Sequence, residues 1–470
     1  MNTAAPGTER YTRGYRNYAL VVLLLGYIVN FIDRSILGIL LDPIKADLDL
    51  SDTELGLLGG LAFALFYSTL GVPIAALADR TSRVKVLSIA MIIWSAMTAV
   101  CGLAANFWHL LLARIGVGVG EAGASPPSHS LISDYFPVET RATALSIYAL
   151  GIPLGSMIGN AVGGWGAENL GWRDTFILVG VPGIAIALLI LFTLREPPRG
   201  MSEAATTSQT DEPSPPMADV LRFLWGKRSF RHMSLACGLH AFVGYGAGTW
   251  NAPFLLRTHD VPITEVGYWL AAISGIGAIG TFAGGYLADK FFDRTGERRW
   301  YLWIPGLATL AMVPFQFLAY LYDGSIAAVY LSLGMVAILG AMYLGPSFAM
   351  TQALVTLRMR AVASAILLLV LNLIGMGLGP YFIGFISDVL EPEFANLSLR
   401  WALCVAVLFN AWAAIHYLLG GAHRGGGHRR YGTIEGRELA LAKRDRLSFC
   451  GEAEMAEKPR GASGGGGGGG

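Results

Sequence analysis

Charge is scarce in this sequence. Asp, Glu, Lys and Arg together make up 14% of the 470 residues, against 54% hydrophobic residues, and the mean hydropathy is +0.51. A water-soluble fold has no use for so much apolar surface. Cysteine is scarce too. Cys101, Cys237 and Cys404 sit in apolar runs and Cys450 in the tail, which points away from both a disulfide framework and a metal site. A phosphate-binding GxxxxGK[ST] loop is missing, which argues against ATP as an energy source, and no HExxH or Cys/His cluster suggests a membrane metalloprotease. No nucleophile set points to an enzyme. The net charge of +1 gives no reason to expect a nucleic-acid partner, and no cofactor is implied. The first apolar run, 18–41, is too long for a signal-peptide core and lacks a cleavage site.

What is abundant is apolar sequence in runs of about 20 residues, the length that crosses a bilayer as a helix. Twelve such runs are expected, at 18–41, 54–78, 84–105, 108–133, 142–166, 174–194, 232–255, 264–288, 300–321, 326–352, 361–388 and 399–420. The fold class is therefore an all-α polytopic membrane protein. A Ser/Thr/Pro-rich stretch, SEAATTSQTDEPSPP, lies in a cytoplasmic linker (195–231) that separates a bundle of six spans at 18–194 from another at 232–420. A short N-terminal segment (1–17) and a tail with a glycine-rich end (421–470) flank the two bundles. Arginines before span 1, after spans 2 and 8, and in the linker and tail contrast with acidic residues such as Asp42, Asp47, Asp49, Asp52 and Glu54 between spans 1 and 2. By the positive-inside bias, both termini are expected in the cytoplasm.

The halves repeat. AALADRTSRVK after span 2 matches GGYLADKFFDR after span 8, which aligns Asp79 with Asp289; ETRATALS before span 5 resembles RMRAVASA before span 11, which aligns Arg141 with Arg360. The glycine ladder Gly151, Gly155, Gly159 and Gly163 of span 5 has a looser partner in Gly375, Gly377, Gly379, Pro380 and Gly384 of span 11. Two like halves with a binding site between them at mid-membrane form a transporter plan.

Four charges lie inside the apolar runs. Arg114 and Glu121 interrupt HLLLARIGVGVGEAG; seven residues apart, they project within about 20° of one direction, two helical turns from each other. Asp33 and Arg34 interrupt span 1. Asp33 is nine residues before Asp42, about 13 Å below the mouth, and Glu121 is twelve after His109, about 18 Å deep. A charge in hydrocarbon is costly, so such residues face a cavity or a partner. They can be a static ion-pair cluster or a transport pathway. In the pathway reading, Asp33 and Glu121 take and release protons while Arg34 and Arg114 hold them or the anionic head of a substrate in turn. Asp79, Arg80, Arg83, Arg141, Asp289, Lys290 and Arg360 are candidates for a cytoplasmic gate, or simply fix topology. In the second half, Tyr245, Trp250, Asn251, Trp269, Gln352 and Asn372 are candidates for the substrate wall, and deep charge is nearly absent. A pocket charged on one side and apolar on the other suits an amphiphile. His129 and His240 are read as packed.

The LADRTSR and LADK loops, Arg114 with its glycines, and the span 5 ladder resemble the signature motifs of the major facilitator superfamily. Ser82 and Ala75 stand where that pattern has glycine. NFIDRSILGILLDPI, ARIGVGVGEA and YALGIPLGSMIG are similar to the Spinster family of lysolipid and sphingolipid transporters. The resemblance implies a fold of twelve helices in two six-helix halves, alternating access by a monomer, proton coupling and a lipid-like amphiphilic anion as substrate. In a bacterium it implies the inner membrane. Organic-anion/proton symporters of the superfamily share NxxDR and GxGEA, so such a symporter is an alternative. A non-transporting membrane sensor or scaffold is another.

Overall fold

The computed structural model describes residues 11–202, 216–356 and 359–422. The N-terminal residues 1–10, most of the Ser/Thr/Pro linker, the tail after Ala422 and Cys450 lie outside the described residues. The helices of the described residues group into twelve spans in chain order. The first half holds span 1 (Arg13–Leu48), span 2 (Asp52–Gly59 and Leu61–Arg80), span 3 (Arg83–Cys101), span 4 (Phe107–Glu121 and Ser125–Tyr135), span 5 (Val138–Ala149 and Gly151–Asn169) and span 6 (Gly171–Thr193). The second holds span 7 (Arg228–His259), span 8 (Ile263–Thr295), span 9 (Trp300–Leu321), span 10 (Ile326–Gly340, Ala341–Tyr343 and Leu344–Ala353), span 11 (Arg360–Val370, Leu371–Leu378 and Gly379–Phe394) and span 12 (Ser398–Ala422).

The helices outrun the apolar runs. Span 1 begins before the expected 18 and ends after 41, because polar residues past the hydrocarbon boundary continue the helix until Asp49 adopts a left-handed conformation (φ 52°). Nine helices among the described residues are long and apolar enough to cross a membrane, and one of these, Arg360–Ala422, contains both span 11 and span 12. Span 4 is divided by the turn after Glu121, and span 7 is diluted by its polar ends. The linker is not wholly irregular: Met217–Trp225 is a helix.

Glycine decides how the spans pack. A Cβ on Gly155 would lie 2.5 Å from the Ile28 carbonyl oxygen of span 1, so span 5 and span 1 run in backbone contact. The repeat is the same in the second half, where a Cβ on Gly379 of span 11 would lie 2.2 Å from the Phe242 carbonyl oxygen of span 7. Between the halves, span 5 meets span 8 through Gly164 and Gly267, and span 2 meets span 11 through Gly56 and Pro380.

Candidate functional site

Span 4 carries Glu121 to the middle of the first half. Its glycines are why it fits there: a Cβ on Gly120 would lie 2.6 Å from the Trp94 nitrogen of span 3, and one on Gly118 2.8 Å from the Phe63 carbonyl of span 2. The helix stops at Glu121, and the turn that follows precedes Pro126 and Pro127. Glu121 is 1% exposed, and its Oε2 accepts from Arg34 Nε of span 1 at 2.7 Å.

The deep ion pair therefore forms between spans 1 and 4. Arg114 and Glu121, two turns apart on span 4 as their spacing gives, do not pair with each other; of the four charges inside the runs, Arg34 of span 1 is the one bonded to Glu121. Arg114 is 2% exposed; its guanidinium lies 5.5 Å from the Phe63 ring, and its Nε and Nη1 have no hydrogen-bond partner among the described residues. Asp33, 1% exposed, has no arginine bonded to it among the described residues. Its Oδ2 accepts from Thr98 of span 3 at 2.6 Å, and its Oδ1 has no hydrogen-bond partner among the described residues.

Arg34 is the link to the second half. Its guanidinium sits among the rings of Phe31, Phe63 and Tyr67 at 5.2, 5.1 and 4.7 Å, and its Nη1 reaches Met376 Sδ of span 11 at 4.0 Å. Tyr245 of span 7 is within electrostatic reach of it. Beside Glu121, Asn30 lines a small pocket with Tyr27, Trp94, Ser128 and Tyr148; its volume of about 10 Å³ is room for a single water. Phe63, Tyr67, Thr98 and Met376 carry no mark in the sequence that separates them from ordinary apolar-run residues.

The second-half candidates divide. Tyr245 is within electrostatic reach of Arg34, and Asn372 lies on the π-helical segment that also carries Met376. Trp250 is fully buried and donates from Nε1 to the Pro380 carbonyl at 2.8 Å. Asn251 Oδ1 accepts from Tyr320 at 3.1 Å, Trp269 stacks on Tyr330 at 4.5 Å, and Gln352 meets Ser364 at 3.4 Å. These three bond locally within the second half. His240 is packed, held between Gly340 O and Thr309 Oγ1 at 2.9 and 3.0 Å.

The halves are fastened at one end. Arg257 of span 7 bonds Asp42 (2.6 Å) and Asp52 (2.7 Å) of the first half, and Lys45 also reaches Asp52 at 2.6 Å. Asp388 of span 11 accepts from the first backbone amides of span 2, Asp52 N at 3.0 Å and Thr53 N at 2.7 Å, and so caps a helix of the opposite half. The sequence marks Asp42 and Asp52 as topology charges, does not single out Asp388, and so hides the latch.

At the other end no hydrogen bond or ion pair among the described residues joins the gate candidates across the halves. Asp79 meets Arg199 at 3.5 Å and Asp289 accepts from Tyr301 at 2.7 Å, each beside its own half. Arg83 is buried inside the first half, bonded to Asp134 and, at 2.7 Å, to Glu196. Lys290 lies over the Tyr286 ring at 5.3 Å, Arg141 Nε is buried without a partner among the described residues, and Arg80 and Arg360 are exposed. With the Asp52 end tied together, Asp79 does not reach the start of span 11.

This chain matches the family model of the Major Facilitator Superfamily over residues 23–380. The chain belongs to the Major Facilitator Superfamily. It is 32% identical to an MFS-type efflux pump of Mycolicibacterium smegmatis over 83% of this chain and 88% of the relative, and 29% identical to human protein spinster homolog 1 over 83% and 78%. Among solved structures it is similar to a bacterial homolog of the human lysosomal transporter Spinster in an inward-facing, unoccupied conformation, with TM-score 0.79 and 34% identity over 87% of this chain and 98% of that one. The chain is thus a Spinster-like transporter of that superfamily, related to organic-anion transporters and not an enzyme. It is an integral multi-pass membrane protein, which in bacteria places it in the inner membrane.

Proposed function

We propose that this transporter moves a lysolipid or a similar amphiphilic anion by alternating access, with protons as the coupling ion and a single chain as the working unit. The observation that carries the reading is the arrangement around Arg34: a cation paired with buried Glu121, surrounded by aromatic rings and touching Met376 of the apolar half. An anionic head would compete with Glu121 for Arg34, and a released Glu121, desolvated, would take a proton. Asp33, with one oxygen unpartnered among the described residues, would be the second proton-sensitive group. Arg114, whose Nε and Nη1 have no partner among the described residues, is a second place for the anionic head.

On the positive-inside bias we take both termini as cytoplasmic, which makes the Asp52 end the outward one. The Arg257 and Asp388 contacts then close the outer side, and Asp79, Arg80, Arg83, Arg141, Asp289, Lys290 and Arg360 line the inner side, where the opposite closure would form. The inward-facing conformation of the similar solved structure supports this assignment. A second reading, a small organic-anion/proton symporter, is favoured by 25% identity to the hexuronate transporter of Bacillus subtilis over 78% of this chain. Competition in proteoliposomes separates the two. Lysophospholipid should displace a bound radiolabelled lysolipid far better than a hexuronate does, and Arg34→Ala should abolish the difference. Selective uptake of hexuronate would instead favour the second reading.

A further inference from the structure

Met217–Trp225 has more apolar surface than the bundle covers. At 100° per residue, its apolar side chains span an arc of about 200°. One part of that arc, Val220 and Leu224, is fully buried in a cluster with Phe230 and Met233 of span 7 and Val355, Ala363 and Ile366 around the start of span 11. The adjoining part, Met217, Leu221 and Trp225, stands 42%, 42% and 57% exposed along one line of the helix. The polar remainder is narrow and holds Asp219 paired with Arg222 at 2.9 Å. Lys227 follows, 4.7 Å over the Phe223 ring, and span 7 opens with Arg228 and Arg231.

We infer that Met217–Trp225 is a membrane-surface anchor that lies in the interface plane, inserts Met217, Leu221 and Trp225 into an anionic lipid leaflet, and is held there by Lys227 and Arg231. Two relations favour lipid as the occupant. The exposed stripe is continuous with the buried one, as in a helix half-seated on protein and half in a bilayer. The helix also ends three residues before span 7 begins, which fixes it at the level where that span enters the membrane and where indole rings and basic side chains concentrate. Because it packs on the first turns of span 11, the anchor ties the start of that span to the leaflet.

The test is spin-label accessibility in the full-length protein in nanodiscs, with Cys450→Ser as background and Cys101, Cys237 and Cys404 buried. Labels at Leu221→Cys and Trp225→Cys should relax more with oxygen than with a water-soluble nickel chelate, and a label at Arg222→Cys should do the reverse. The contrast should be larger in phosphatidylglycerol than in phosphatidylcholine, and Lys227→Gln with Arg231→Gln should erase that lipid difference. Nickel access at 221 and 225 equal to that at 222 would put the face in water and overturn the anchor. Shielding from both reagents would mean that another part of the chain or a second copy covers it, with the same consequence. Equal contrast in the two lipids would overturn the anionic preference.

Discussion

Arg34 Nε and Glu121 Oε2 stand 2.7 Å apart, on different helices, with the carboxylate side chain fully buried and the arginine side chain 18% exposed. Removing one member strands the other as an uncompensated buried charge, a loss of about 3–5 kcal/mol where burial is complete. Arg34→Ala should therefore lower the unfolding temperature in detergent more than Arg34→Ala combined with Glu121→Gln does. Strictly additive losses in the double-mutant cycle would show that the two side chains do not act as a pair.

Asp388 caps span 2 from the opposite half, so its loss costs only the state in which the halves meet at that end. A helix cap is worth about 1 kcal/mol, roughly a fivefold shift in a two-state population. Spin labels at Glu168 and Glu265, on the two halves at that end, should report a larger long-distance fraction in Asp388→Ala. Gly384→Leu should act more strongly, because even a Cβ there would lie 2.2 Å from the Asp52 carbonyl oxygen. Unchanged distance distributions in both variants would contradict the latch.

Glu196 lies past the end of span 6. Burial raises its pKa, but the Val84 amide and the Arg83 and Ser82 side chains, all donating to its carboxylate, outweigh burial and hold it below the ordinary 4.5. A depressed folded-state value means that the charged form stabilises the fold above pH 4.5 and that this share is lost as pH falls through the folded value. Thermal stability of the wild type should fall on acidification below about pH 4.5, whereas Glu196→Gln should start lower at pH 7 and fall less. Parallel acid limbs would remove Glu196 from this role.

Much of the fold is legible in the sequence because apolar runs of bilayer length and glycine ladders are local patterns. The span 5 ladder packs on span 1 because Gly155 leaves no side chain between the helices, and the sequence already shows that spacing. The four charges inside the runs stand out for a similar reason: a charge in hydrocarbon is rare. Their partners do not, since pairing depends on which helix faces which. Spacing along span 4 points Arg114 and Glu121 the same way, yet span 1 supplies the partner. Thr98, Phe63 and Met376 look like any residue of an apolar run. Asp42 and Asp52 read as topology charges because the same residues, at the same helix ends, can fix orientation and also tie two halves together, and their partner Arg257 is not marked out in the sequence. The Met217–Trp225 helix hides in a polar linker, although VLRFLW already carries its amphipathic spacing.

The most direct test of the coupling claim is pH-gradient-driven uptake of a lysophospholipid into proteoliposomes by the wild type and by Glu121→Gln. Uptake by the wild type should rise with the proton gradient. In the variant that response should be lost while lysolipid binding persists. A gradient response unchanged by Glu121→Gln would contradict proton coupling through this carboxylate.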